Sequence, residues 1–169
     1  MPEKKTLERA RRDKRQGKSA STQAGEFVKE TIDNIREGKH GARNAKQAIA
    51  IGLSKARRAG VDLPPPRKGK TSAATRKKAE ADSRAGKRNP NAKANPKRSK
   101  ASTRALKRED TAAGSHRALS RQAHEAAAKR TAQERHDSAE KAVRTKGQAG
   151  LKAAARKAAK TRHDHTHNK

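Results

Sequence analysis

Cysteine, tryptophan and tyrosine are absent from this 169-residue chain, and phenylalanine occurs once. The lack of cysteine excludes a disulfide framework and thiolate-bound zinc, and it fits a reducing compartment. With one aromatic residue the chain has too little apolar bulk for a conventional core. It also lacks the stacking platforms by which single-stranded nucleic acids are read. Long apolar runs are missing as well. None approaches the ~18–20 residues of a membrane span, and the basic opening leads into no hydrophobic segment of the secretory kind. The expectation is a soluble, cytoplasmic protein without a membrane partner.

What the chain does contain is positive charge. Lysine and arginine number 46 against 17 acidic residues, a net charge of +29, and only 29% of residues are hydrophobic, most of them alanine. Low hydrophobicity with high net charge favours disorder, because too little apolar area is available to offset chain entropy. The surplus is uneven: net +5 over residues 1–20, +3 over 21–62 and +21 over 63–169. A nearly neutral module therefore carries a long basic arm.

Helical periodicity is strongest in the neutral module. Ala24, Phe27, Val28, Thr31, Ile32 and Ile35 recur on one face and predict a helix over 22–37, closed by Gly38. Asn44 with Gln47 reads as an N-cap and capping box. Ala45, Ala48, Ile49, Gly52, Leu53 and Ala56 then predict a helix over 45–59, with Gly60 as its left-handed stop and Val61 folding back on the last turn. Pro64, Pro65 and Pro66 end the element. The short connection predicts an antiparallel helical hairpin, its small residues allowing close approach and Phe27, Val28, Ile32, Ile35, Ile49 and Leu53 filling the seam. Nine large apolar residues from Phe27 to Leu63 are few for a free-standing unit, so a homo-oligomer or docking partner is expected.

The expected fold class is mostly α with extensive disorder: a small antiparallel helical hairpin followed by a long basic, partly helical tail. Residues 1–20 read as a basic, solvated N-terminal arm, 21–63 as the hairpin, 64–114 as a disordered linker rich in Pro, Lys and Arg, and 115–169 as a partly helical tail rich in Ala, Lys and Arg. Within the tail, 115–146 favours helix, Gly147 and Gly150 interrupt it, and 151–160 forms a last short helix.

A cationic chain of this kind binds polyanions by releasing condensed counterions, which gives affinity without sequence readout. The candidate nucleic-acid contacts are Lys97, Arg98, Lys100, Arg104, Lys107, Arg108, Arg117, Arg121, Lys129, Arg130, Lys152, Arg156, Lys157 and Lys160, with Arg57 and Arg58 at the end of the second hairpin helix. Duplex DNA is favoured over RNA because the tail has no stacking residue. The alternating His163, His165 and His167 have the spacing of a metal-binding tract but read as a polar terminus. The chain shows no Gly-rich phosphate loop, no cysteine nucleophile and no acid pair placed to share a pocket. No enzyme activity, cofactor or resident metal is expected.

Two resemblances accompany these readings. Residues 21–27 and 37–61, above all KQAIAIGLSKAR, together with the opening KKTLERARRDKR, resemble an uncharacterised family of small basic bacterial proteins often labelled plasmid-stabilisation or DNA-binding proteins. The tail, especially LKAAARKAAK, is similar in composition to the Ala/Lys-rich tails of linker histones and bacterial histone-like proteins. The charge pattern, with these resemblances beside it, leads to the expectation of a non-sequence-specific, nucleoid-associated DNA-binding protein acting by phosphate neutralisation and bridging. Three alternatives stay open: a protein-interaction module whose basic tail only localises it, an RNA binder, and a hydrophilic stress protectant.

Overall fold

In the computed structural model, residues 2–90, 92 and 95–167 are described, the side chains of 165–167 excepted. All regular elements among them are helical. The chain divides into two compact units, Met1–Ala123 and His124–Lys169.

The first unit is built around two helices, α2 (Ala20–Arg36) and α3 (Ala45–Arg58), following α1 (Lys4–Arg15). Ser19 caps α2, its hydroxyl accepting from the Thr22 amide at 3.4 Å, so the helix starts two residues before its predicted start. Asn44 caps α3 by accepting from the Gln47 amide at 2.9 Å, and Gln47 reaches back to the Arg43 amide at 2.7 Å. Beyond α3, Gly60 takes φ 85° and the Val61 amide donates to the Ala56 carbonyl at 3.1 Å, which buries Val61 against the helix it ends.

Helices α2 and α3 pack on each other through Ala24, Phe27, Thr31 and Ile35 on one side and Ala45, Ala48, Gly52 and Ala56 on the other. Gly52 permits the approach: a Cβ there would lie 2.6 Å from the Val28 Cα. Phe27 and Ile35 are fully buried, whereas Val28, Ile32, Ile49 and Leu53 are half-buried. The seam is thus carried more by alanine and glycine than the hydrophobic pattern predicts. The buried Thr31 hydroxyl donates to the Phe27 carbonyl at 2.9 Å.

Three expectations are corrected. The N-terminal segment is no solvated arm: α1 packs on α2 and buries Thr6, Ala10 and Asp13. Polar groups fix the joint. The Glu3 amide donates to Glu30 at 3.0 Å, Arg9 pairs with Glu26, and Lys55 of α3 reaches the other Glu30 oxygen at 2.9 Å. Residues 64–114 are no disordered linker either. Helix α4 (Ala73–Arg88) packs on α3 and buries Ala79, Asp82 and Gly86, spaced i, i+3 and i+7. Helix α5 (Pro96–Leu106) follows, capped by Asn95 with Pro96 at its first position. The chain then returns over the α2–α3 loop. The Gly41 amide donates to Leu106 at 2.9 Å and the Ala42 amide to Asp110 at 3.0 Å. A 3-10 turn, Thr111–Gly114, places Ala113 on Ile35, Ala42 and Ala48, while Arg36 grips the Gly114 carbonyl at 2.7 Å.

The third correction concerns the extensive disorder expected of the chain, including a tail expected to be only partly helical. Helix α6 (His116–Ala128) is followed by α7 (Ala132–His167), so the predicted continuous helix over 115–146 is broken at residues 129–131. Thr131 and Glu134 form a reciprocal capping box at the start of α7, with bonds of 3.0 and 3.1 Å. Gly147 (φ 64°, ψ 173°) kinks α7 in a conformation open essentially to glycine alone, while Gly150 stays helical. The composition errs toward disorder because it counts large apolar residues. This chain instead closes its core with small ones and satisfies every buried side-chain polar atom among the described residues.

Candidate nucleic-acid interface

The fold sorts charge before it displays it. Around the core of the first unit the acids face cations: Asp13 meets Lys18 at 2.7 Å, Glu30 meets Lys55, and Asp82 meets Lys78 and the Ser54 hydroxyl, the latter at 2.7 Å. On the surface, Asp33 pairs with Lys29, Glu80 with Arg76 and Glu37 with Lys39. Lys39 also lies 3.6 Å from Glu3. The hydrogen bond to Glu37, against an opposing desolvation and aided by the attraction of Glu37 and then Glu3, raises its pKa above the ordinary lysine value.

Against this background α5 stands out. Residues 97–108 contain six cations and no acid, and α5 buries none of its residues. The acid-free stretch runs from 83 to 108 and contains ten lysines and arginines. Lys97, Lys100, Arg104 and Lys107, at i, i+3, i+7 and i+10, share one side of the helix. An open groove of about 330 Å³ runs along Ser99, Lys100, Thr103, Arg104 and Lys107, so hydroxyl donors alternate with the charges. The C-terminal end of α5 is pinned to the α2–α3 loop through Leu106 and Gly41, so the stripe is tethered to the folded unit at that end.

The other candidates separate into groups. Arg98 lies on α5 and Arg108 just beyond it; Arg117 and Arg121 are exposed on α6. Lys129 and Arg130 occupy the turn before α7. In the second unit Lys152, Arg156 and Lys160 repeat every four residues beyond the Gly147 kink, with Lys157 beside them, all exposed. Arg58 is exposed at the end of α3.

Arg57 is the exception and a correction. It is only 7% exposed, and its guanidinium donates to the Leu63 carbonyl at 3.3 Å and the Pro64 carbonyl at 3.1 Å. Burial pulls its pKa below the ordinary arginine value, and the Asp82 charge counters part of that. Arg57 straps the first prolines to α3 and presents no charge to a ligand. Its neighbour Arg58 looked equivalent in sequence because the burial of position 57 depends on α4, which the sequence pattern does not announce.

Metal-ligating side chains gather at one place among the described residues. His136, Asp137 and Glu140 on α7 bring their ligand atoms within 4.8 Å of one another, all exposed. Asp137 already accepts from Gln133 at 2.8 Å and Glu140 pairs with Arg144 at 3.4 Å. In the terminal histidine tract, His163 lies 3.8 Å from Asp164, while the side chains of His165 and His167 lie outside the described residues. No helix among the described residues is long and apolar enough to cross a membrane.

Residues 4–68, which span α1 to the segment strapped by Arg57, match a family of unknown function (DUF6496). No curated protein and no solved structure matches the chain.

Proposed function

We propose that this protein is a non-sequence-specific binder of duplex DNA, associated with the nucleoid, that works by neutralising phosphates and bridging duplexes. The observation that carries this reading is the α5 stripe: six exposed cations over 97–108, with no acid and no buried residue to give them a structural role. Lys97, Arg98, Lys100, Arg104, Lys107 and Arg108 are its central contacts. Arg117 and Arg121 on the first unit, and Lys129, Arg130, Lys152, Arg156, Lys157 and Lys160 on the second, are further contacts. Arg58 remains a contact, and Arg57 is withdrawn from the set. Phosphate contacts position a protein on DNA without reading bases, and the chain has no aromatic side chain outside Phe27 to stack on an unpaired base. Helices α1 and α4 and the 111–114 turn cover part of the hairpin within the chain, and a homo-oligomer through the hairpin remains part of this proposal.

The test is a salt series of gel shifts with duplex DNA, single-stranded DNA and duplex RNA. With six to ten phosphate contacts, duplex affinity falls by ~10³–10⁵ between 50 and 200 mM salt. The combined Lys100→Gln, Arg104→Gln and Lys107→Gln variant lowers the slope of log affinity against log salt by about 3. A flat titration, or a variant that superimposes on the parent, refutes the reading.

A further inference from the structure

We infer that the outward face of α1 is a second phosphate-binding surface for duplex DNA, fixed to the folded unit and separate from α5 and the tail. This rests on the reading of the protein as a duplex binder. The starting observation is how α1 divides its charges. Asp13 is buried and bonded to Lys18, and Arg9 turns inward to Glu26 and the Thr6 hydroxyl. Outward stand Lys4, Lys5, Arg11, Arg12, Lys14 and Arg15, all exposed, none with an ion-pair partner among the described residues, and only Glu8 among them.

Glu8 and the helix dipole at the last turn favour some of these cations, but like charges still crowd the C-terminal half of the helix. Arg11 with Lys14, Arg11 with Arg15 and Arg12 with Arg15 are like-charge pairs at i, i+3 or i, i+4, each unfavourable by a few tenths of a kcal/mol. None of these cations holds α1 on α2, which rests on Thr6, Leu7 and Ala10 on the other side of the helix. A polyanion would relieve the repulsion. From Lys4 to Arg15 the helix spans ~16 Å, and duplex DNA presents about ten charges over that length. Six cations on a helix already fixed by packing meet those phosphates with little further ordering, and the three arginines can grip phosphate oxygens in bidentate fashion.

The position of α1 supports the same occupant. Glu3, at its start, lies 3.6 Å from Lys39 of the α2–α3 loop, and that loop carries Gly41, which binds the end of α5. The start of α1 and the end of α5 therefore flank one loop of the first unit.

The test uses the full chain. Lys4→Gln, Arg11→Gln, Arg12→Gln and Arg15→Gln, combined, remove four contacts. The affinity ratio of parent to variant then shrinks by about 150-fold between 50 and 200 mM salt. Glu8→Gln acts in the opposite direction and tightens binding at low salt. Independently of any substitution, acetylation footprinting by mass spectrometry reads Lys4, Lys5 and Lys14 in the unmodified protein with and without duplex. Protection of these lysines and a reduced salt slope support the inference. A parent that binds duplex with a steep slope, while the four-site variant superimposes on it and the α1 lysines stay unprotected, overturns the inference alone. A parent that fails to bind duplex overturns the functional reading as well.

Discussion

Gly86→Ala tests whether the segment past the prolines is a packed helix or a solvated one, because the two cases predict opposite signs. In a solvated helix, replacing an interior glycine by alanine stabilises by about 1 kcal/mol. In the packed arrangement a Cβ at position 86 lies 1.9 Å from the Arg57 carbonyl oxygen and 3.1 Å from the Gly60 amide nitrogen. Both obstacles are backbone, so no side chain can swing aside, and α4 must back off from α3 by more than 1 Å to restore ordinary contact. That strains the Ser54–Asp82 bond of 2.7 Å and loosens the packing of Ala79. Overpacking of this kind costs about 3 kcal/mol, and the gain in helix propensity leaves a net loss of about 2 kcal/mol. For a unit of this size that lowers Tm by about 8 °C. Differential scanning calorimetry suits the measurement, since the chain has no Trp or Tyr for fluorescence and the unpacked α7 melts without a sharp transition. Gly25→Ala is the control: the site lies inside α2 with nothing within 4 Å of the added methyl, and it should gain up to about 1 kcal/mol. A Tm that rises for Gly86→Ala as it does for Gly25→Ala refutes the docking of α4.

Two further substitutions separate structure from binding. Arg57→Ala deprives the Leu63 and Pro64 carbonyls of their donor and opens a gap beside Asp82, with an expected loss of about 2–3 kcal/mol by calorimetry and no change in duplex affinity below the transition. Arg58→Ala, one residue on and exposed, leaves Tm unchanged and lowers the salt slope by about 1. Asn44→Ala removes the side chain that caps α3 and costs about 1 kcal/mol in urea unfolding, while the Gln47 bond to the Arg43 amide persists.

The legible parts of this chain are those that use large apolar residues or strong punctuation. Periodicity over 22–37 and 45–59 meets α2 and α3 within two residues at each end, because Phe27 and Ile35 mark the buried face and Asn44 and Gly60 mark the limits. What stays hidden depends on small or polar burial. Helix α4 docks through Ala79, Asp82 and Gly86, and α1 through Thr6, Ala10 and Asp13, neither of which reads as an apolar stripe. Such faces are recognisable only once their partners are known: Asp82 is buried because Ser54 and Lys78 satisfy it, and Gly86 because Arg57 needs the space. The cationic candidates follow the same division. Those on α5 are exposed as composition suggests, and the acid-free run over 83–108 is a signal that singles them out within the longer basic region. Arg57 lies at the one candidate position where a neighbouring helix covers the side chain.

The family match ends at residue 68, but the first unit does not close there. Ile35 and Ala48 are sealed by Ala113, and Gly41 lies so near the Glu109 carbonyl that a Cβ would meet it at 1.9 Å. A close fit of that kind between positions 68 residues apart is a packing constraint and not a passing contact. It anchors the C-terminal end of the segment that carries α5. Both ends of that stretch are tied to the hairpin helices or their loop, one through α4 on α3 and the other through Leu106 and Asp110 on the loop, so α5 is carried as an excursion from the core. Tying both ends carries a modest entropic cost, since that cost grows only slowly with loop length. The returning segment that completes an alanine-rich core therefore also anchors one end of the acid-free helix, and disrupting the Gly41 approach should weaken both together.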